Sequence, residues 1–188
     1  SVLDIALRLF TSDDNVYKRL GRARSSLRKS PPCFGELTGQ QYASRLPAVN
    51  KILYLLFTKG YLSCHTEIAI RRELFGEAIR LALILAEHAV GQNPETFALL
   101  ALMHLHTARM PARQDGAGGL LLLEEQDRSL WDRHQIQVGL EWLARSAQGD
   151  SFSRFHAEAG IAAEHCLAPS FSETRWEKVV DCYQLLER

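Results

Sequence analysis

The chain is 188 residues long, 46% hydrophobic and 23% charged, with 22 basic side chains against 22 acidic ones. At about 150 residues per domain, this length predicts one large domain, or one domain with a small appendage, and a core that needs neither metal nor disulfide. The composition excludes a disordered tail; no apolar run approaches the ~20 residues of a membrane span, and the start shows no basic-then-apolar leader pattern. Four cysteines, Cys33, Cys64, Cys166 and Cys182, form no C-x-x-C and have no matching histidine pair. They read as buried free thiols in a reducing cytoplasm.

Overall neutrality hides a division. Residues 1–30 carry seven basic and three acidic side chains, leaving fifteen basic against nineteen acidic in the remainder. Val16–Lys29 holds six cations and no carboxylate. This asymmetry predicts an anionic partner for the N-terminal end, with a merely solvated basic face as the plainer alternative.

In chain order, Leu3, Ile5, Ala6, Leu9 and Phe10 form an apolar stripe on a short helix. Thr11–Asp14 is a break in which Ser12 is placed to cap the next helix. Asp13 and Asp14 fall in the first turn of that helix, where the dipole favours carboxylates. Val16, Leu20, Ala23 and Leu27 then keep one apolar face at steps of four, three and four. The opposite face carries Asn15, Lys18, Arg19 and Arg22, with Arg24, Arg28 and Lys29 behind. A supporting helix, a tight turn and a second helix packed by one face are the parts of a helix-turn-helix. Arg and Asn on its polar face can reach base edges in a major groove, while Lys and the later arginines neutralise phosphates.

Pro31-Pro32 ends any helix arriving there, so the chain divides into 1–30, a linker over 31–39, and a body over 40–188. Leu46, Val49, Ile52, Leu53, Leu56 and Phe57 predict a helix stopping near Gly60. The next spans about His65 to Ala89 with Ile68, Leu74, Ala78, Leu81, Leu85 and Ala89 inward. Gly91-Gln92-Asn93-Pro94 breaks it and opens a third helix to Thr107. Leu120–Leu123 is either a short extended segment or a buried loop wall. Helices follow over Ser129–Gln148, Ser153–Leu167 and Ser172–Leu186. The body is all-α, either a stack of tetratricopeptide-like hairpins or an irregular bundle, with no clean repeat near the ~34 residues of that unit.

The string from Ile5 to Arg24 resembles the end of region 4 in bacterial extracytoplasmic-function sigma factors. Further strings resemble the long helical C-terminal extension of one subgroup. They are Arg45-Leu46-x-Ala48-Val49, Leu53–Phe57 with Gly60-Tyr61, Glu77–Leu81, Leu99–Met103, Ala108-Arg109, and Leu122–Ser129 with Trp131-Asp132-Arg133. The resemblance implies a fragment of a sigma factor that opens inside region 4, reads the minus-thirty-five promoter element and docks on RNA polymerase core. It implies base and phosphate contacts by Asn15, Lys18, Arg19 and Arg22, with Arg24 and Arg28 on the DNA backbone. The extension would regulate the sigma N-terminal regions of the full-length chain or bind another protein. Phe10 departs from the pattern, standing where many helix-turn-helix motifs have Gly; Asp115-Gly116-Ala117-Gly118 has alanine where related sequences often have a second acid.

Signals for chemistry are sparse. His104 and His106 fall on different faces of one helix, and no second His follows Glu87-His88 or Glu164-His165 at metal-ligand spacing. No P-loop, G-x-S-x-G or G-x-G-x-x-G occurs. The expectation is a non-enzyme with no cofactor and no metal, in which His104, Cys166 and Cys182 are core or surface residues. Arg109, Arg113, Asp115, Asp127, Arg128, Trp131 and Asp132 concentrate mixed charge beside apolar residues, as either a partner surface or an internal brace for a long loop. Two rivals to the sigma reading remain: a helical scaffold that does not bind DNA, and a stand-alone helix-turn-helix regulator with a ligand-sensing domain.

Overall fold

The computed structural model describes residues 2–30, 38–62, 68–116, 119–149 and 151–187. The chain divides into two compact units, Ser1–Thr38 and Gly39–Arg188.

The first unit is a helix pair, α1 (Val2–Arg8) and α2 (Asp13–Lys29). Ser12 is extended and its side chain accepts the Asn15 N–H at 3.4 Å, so α2 opens where the capping chemistry placed it. The Ser30 N–H closes on Ser26 at 3.0 Å, ending the helix just before Pro31. Residues 31–37, which include Cys33 and most of the expected linker, lie outside the described residues. Ala6 and Val16 are buried, each 2% exposed, and Leu20 is half-buried. The expected apolar face is otherwise uncovered: Leu3, Ile5, Leu9, Phe10, Ala23 and Leu27 are all exposed. The reason is length. At 1.5 Å per residue, the seven residues of α1 span about 10 Å and the seventeen of α2 about 25 Å, so α1 covers only the start of its neighbour.

The second unit contains α3 (Gly39–Leu62), α4 (Ile68–Glu87), α5 (Pro94–Ala108), α6 (Arg133–Ser146), α7 (Arg154–Leu167) and α8 (Trp176–Leu186). Consecutive helices pair as hairpins, α3 with α4, α5 with α6 and α7 with α8, and α5 also meets α3, α4 and α7. The pairing is antiparallel. In the second hairpin Asp132 bonds Ala108 and Phe97 stacks near Trp142, and in the third Arg175 holds Glu164. α5 is therefore the central helix. Its run Leu99–Met103 is buried on every side, as a helix with no polar face must be. The described residues form an all-α protein whose one β feature is a lone antiparallel bridge between Gln114 and Leu120. The hairpins begin at Gly39, Pro94 and Arg154, too far apart and too unequal for a regular ~34-residue period.

Several boundaries differ from those read in the sequence. α3 runs through Gly60 to Leu62, because Gly60 is buried and tertiary packing outweighs the ~1 kcal/mol that glycine costs a helix. Val49 and Ile52 face solvent, leaving Leu46, Leu53 and Phe57 as the buried line. In α4 the buried ridge is Ala78, Ala82 and Ala86, small residues four apart, while Ala89 lies beyond the helix and is exposed. His65 and Cys64 lie outside the described residues. α6 starts at Arg133 because Asp132 takes the cap, accepting the Gln135 N–H at 3.0 Å. α8 starts at Trp176 rather than Ser172. Leu120 and Leu122 are exposed, so the leucine run is an extended surface segment and not a buried wall.

Two glycines are dictated by close approach. A Cβ on Gly91 would stand 1.9 Å from the Leu85 carbonyl oxygen at the α4–α5 corner, and one on Gly139 would stand 2.7 Å from the Leu105 Cγ where α6 lies on α5. Asn93 caps α5 by accepting the Thr96 N–H at 3.0 Å, with Pro94 in the first turn. Among the described residues no helix is long and apolar enough to cross a membrane.

Candidate nucleic-acid interface

The turn between α1 and α2 is built by backbone closure. The Leu9 N–H bonds Ile5 and the Thr11 N–H reaches back to Ala6, both at 3.0 Å, which is the six-to-one closure of a Schellman motif. That motif requires a left-handed residue after the helix, and Phe10 occupies it with φ 48° and 98% exposure. Glycine takes this conformation freely, whereas a side chain costs about 1–2 kcal/mol there. The departure at Phe10 thus keeps the turn geometry and adds strain.

α2 displays the cations. Lys18, Arg19, Arg22, Arg24 and Arg28 are all exposed, and none joins an ion pair among the described residues. Asn15, Lys18, Arg19 and Arg22 recur at three- and four-residue steps and share one face. Arg24 and Arg28 lie with Tyr17 on another side. Asn15 is tied to the turn: its side-chain amide donates to the Thr11 hydroxyl at 3.3 Å. The face is a cationic strip beginning at a capped, fixed turn. Arg28 and Lys29 in the last turn also complement the negative end of the helix dipole.

The mixed-charge segment 109–132 is placed differently. Trp131 is 3% exposed, with the Arg128 and Arg109 guanidinium carbons 4.5 and 5.4 Å from its ring centroid. Arg128 donates through Nη1 to the carbonyls of His165 and Ala168 at 2.6 and 2.8 Å, capping the end of α7. Arg109 donates to Gln126 Oε1 at 3.3 and 3.4 Å. The carboxylates turn toward backbone: Asp115 accepts from Gly119, Asp127 from Ser129, Asp132 from Gln135 and Glu125 from Leu122. Arg113 is half-buried. The segment is braced by charge-to-backbone hydrogen bonds, and Trp131 and Arg128 are engaged within it.

The convergence of one cluster carried no signal in the sequence. His106, Arg109 and His165 meet at a cavity in the second unit. Burial holds His106 down to about 3, helped by Arg109, Arg113 and His165, and burial followed by Arg109 and Arg128 lowers His165. Burial pushes the neighbouring Cys166 thiol up to about 11. His104 turns to the other side and meets Gln135 at 2.7 Å, its imidazole held low chiefly by burial. Cys166 is buried and Cys182 half-buried, both free thiols. Another unforeseen pair is Asn50 with Thr96, buried and bonded at 3.3 Å between α3 and α5. Among the described residues no three His, Cys, Asp or Glu side chains converge as for a metal.

Fold and surface together define an all-α protein of stacked helical hairpins that also carries a basic two-helix unit. The model of DUF6596, a family of unknown function, matches residues 45–147, more than half of the sequence, and the chain belongs to that family. It is similar to an uncharacterized protein of Rhizobium meliloti (strain 1021), 33% identical over 188 residues. The match takes in 100% of this chain and 44% of that relative, so the chain spans less than half the length of the curated relative it matches. No solved structure matches.

Proposed function

We propose that this chain is part of an extracytoplasmic-function-type sigma factor, acting in transcription initiation in the cytoplasm. α2 contacts the minus-thirty-five promoter element, and the stacked hairpins form a non-catalytic regulatory domain. The observation that carries the reading is the exposed face of α2, where a capped turn is followed by six cations and no carboxylate over Val16–Lys29. Such a face gains affinity by releasing counterions from phosphates, and its Arg side chains match base edges in the major groove. In this reading Lys18, Arg19 and Arg22 contact bases and phosphates, Arg24 and Arg28 follow the backbone, and Asn15 holds the turn in register with them. RNA polymerase core and the sigma N-terminal regions of a longer chain are the protein partners.

The test measures duplex-DNA binding by this chain as a function of salt. Log affinity falls linearly with log salt, and Lys18→Gln, Arg19→Gln and Arg22→Gln together flatten the slope by about 0.9 for each phosphate no longer neutralised. In the full-length parent the same changes abolish promoter-directed transcription. DNA binding unaffected by the triple change overturns the reading. It would favour the rival in which stacked hairpins with exposed Trp176, Val180 and Tyr183 on α8 serve as a protein scaffold.

A further inference from the structure

A cavity of about 430 Å³ lies among α5, α7, α8 and the segment after Arg109. That volume lies in the range that takes small organic ligands. Leu123, Ile161, Ala162 and Leu186 give it apolar walls, and its polar lining includes Arg109, His165 and the ion-paired Arg154 and Glu158. The half-buried Arg109 guanidinium has an amide oxygen and an indole ring as its partners, and no carboxylate among the described residues. Arg128, close behind it, bonds only carbonyl oxygens. Both acids here are already engaged: Glu158, in the cavity wall, is bound by Arg154, and Glu164, outside it, by Arg175 at 2.7 Å. The Nδ1 atom of His165 is buried and makes no hydrogen bond among the described residues.

A partly desolvated cation without a counter-charge is costly, and apolar walls beside it suit a ligand with one anionic end. The same excess of positive charge contributes, after burial, to holding the His106 and His165 imidazoles neutral. We propose that this cavity binds a small organic monocarboxylate, its carboxylate meeting Arg109 and His165 and its apolar body lying against Leu123, Ile161, Ala162 and Leu186. The site would make the hairpin stack a ligand sensor. It stands on the second unit alone and does not depend on DNA binding by the first.

Isothermal titration of the chain with octanoate, and with octanol as the uncharged probe of equal length, tests the assignment. Octanoate binds saturably at one site and octanol at least about tenfold more weakly, the difference expected from one charged hydrogen-bonding group. Arg109→Gln reduces octanoate affinity by about tenfold or more, and Arg109→Lys restores part of it. Ile161→Trp fills the cavity and abolishes binding while circular dichroism stays unchanged, which decides the matter if Arg109→Gln does not fold. No octanoate binding, equal binding of octanol, or full binding by a folded Arg109→Gln or Ile161→Trp protein overturns the proposal.

Discussion

In the first unit Ala6 and Val16 are buried while Leu3, Ile5, Leu9 and Leu27 stay in solvent; in the second, α5 buries nearly its whole length between neighbouring helices. Charge is distributed the opposite way. The cations of α2 are exposed and free of ion pairs among the described residues, whereas Arg128 in the second unit lies over Trp131 and caps a helix. The same residue type therefore does different work in the two units. Arg128 is drawn into bracing the fold, whereas the arginines of α2 remain available to an anion. Stability and recognition are thus assigned to different stretches of the chain, and substitutions in either unit can test that division.

Among substitutions the largest effect belongs to the central helix. Leu102→Ala removes a fully buried side chain and lowers the unfolding free energy by about 3 kcal/mol, measured by chemical denaturation. An equally sharp contrast is acid sensitivity. An unfolded histidine takes up a proton near its ordinary 6.5, whereas His106 in the fold stays neutral down to about 3. The unfolded state thus binds more protons in that window, and stability falls as pH drops from 6.5 toward 3. The slope is about 1.4 kcal/mol per pH unit for one such histidine. His104 and His165 are shifted in the same direction and steepen it. The first unit contains no histidine, so helix melting followed against pH assigns this loss to the hairpin stack.

Arg128→Ala removes a charged donor from two carbonyls at the end of α7 and lowers stability by about 2 kcal/mol, read as a shift in the denaturation midpoint. A smaller change in the other direction is expected in the first unit. Phe10→Gly relieves a left-handed side chain and raises the stability of α1–α2 by about 1 kcal/mol, visible as later loss of helical signal on heating. Smallest is the triple change Lys18→Gln, Arg19→Gln and Arg22→Gln, which alters unfolding by less than about 0.5 kcal/mol because these side chains brace nothing. A loss as large as that of Arg128→Ala would erase the contrast between the units, placing the α2 cations among the supports of the fold.

Much of this was legible in the amino-acid order, for a local reason. Ser12 sets a helix start through a side chain that reaches only three residues ahead, Pro94 opens another from its first turn, and Asn15, Lys18, Arg19 and Arg22 share a face by helical period alone. The all-α class and the cationic strip follow from such short-range rules. Coverage does not. Periodicity marked Leu27 and Ile52 as apolar positions, but whether a neighbour is long enough and near enough to bury them is a relation between segments. Tertiary packing alone carried α3 past Gly60, chose for Arg128 the two carbonyls at the end of α7, and brought His106, Arg109 and His165 around one cavity. Those residues come from distant turns of the chain, and only the stacking of hairpins gives them a common environment.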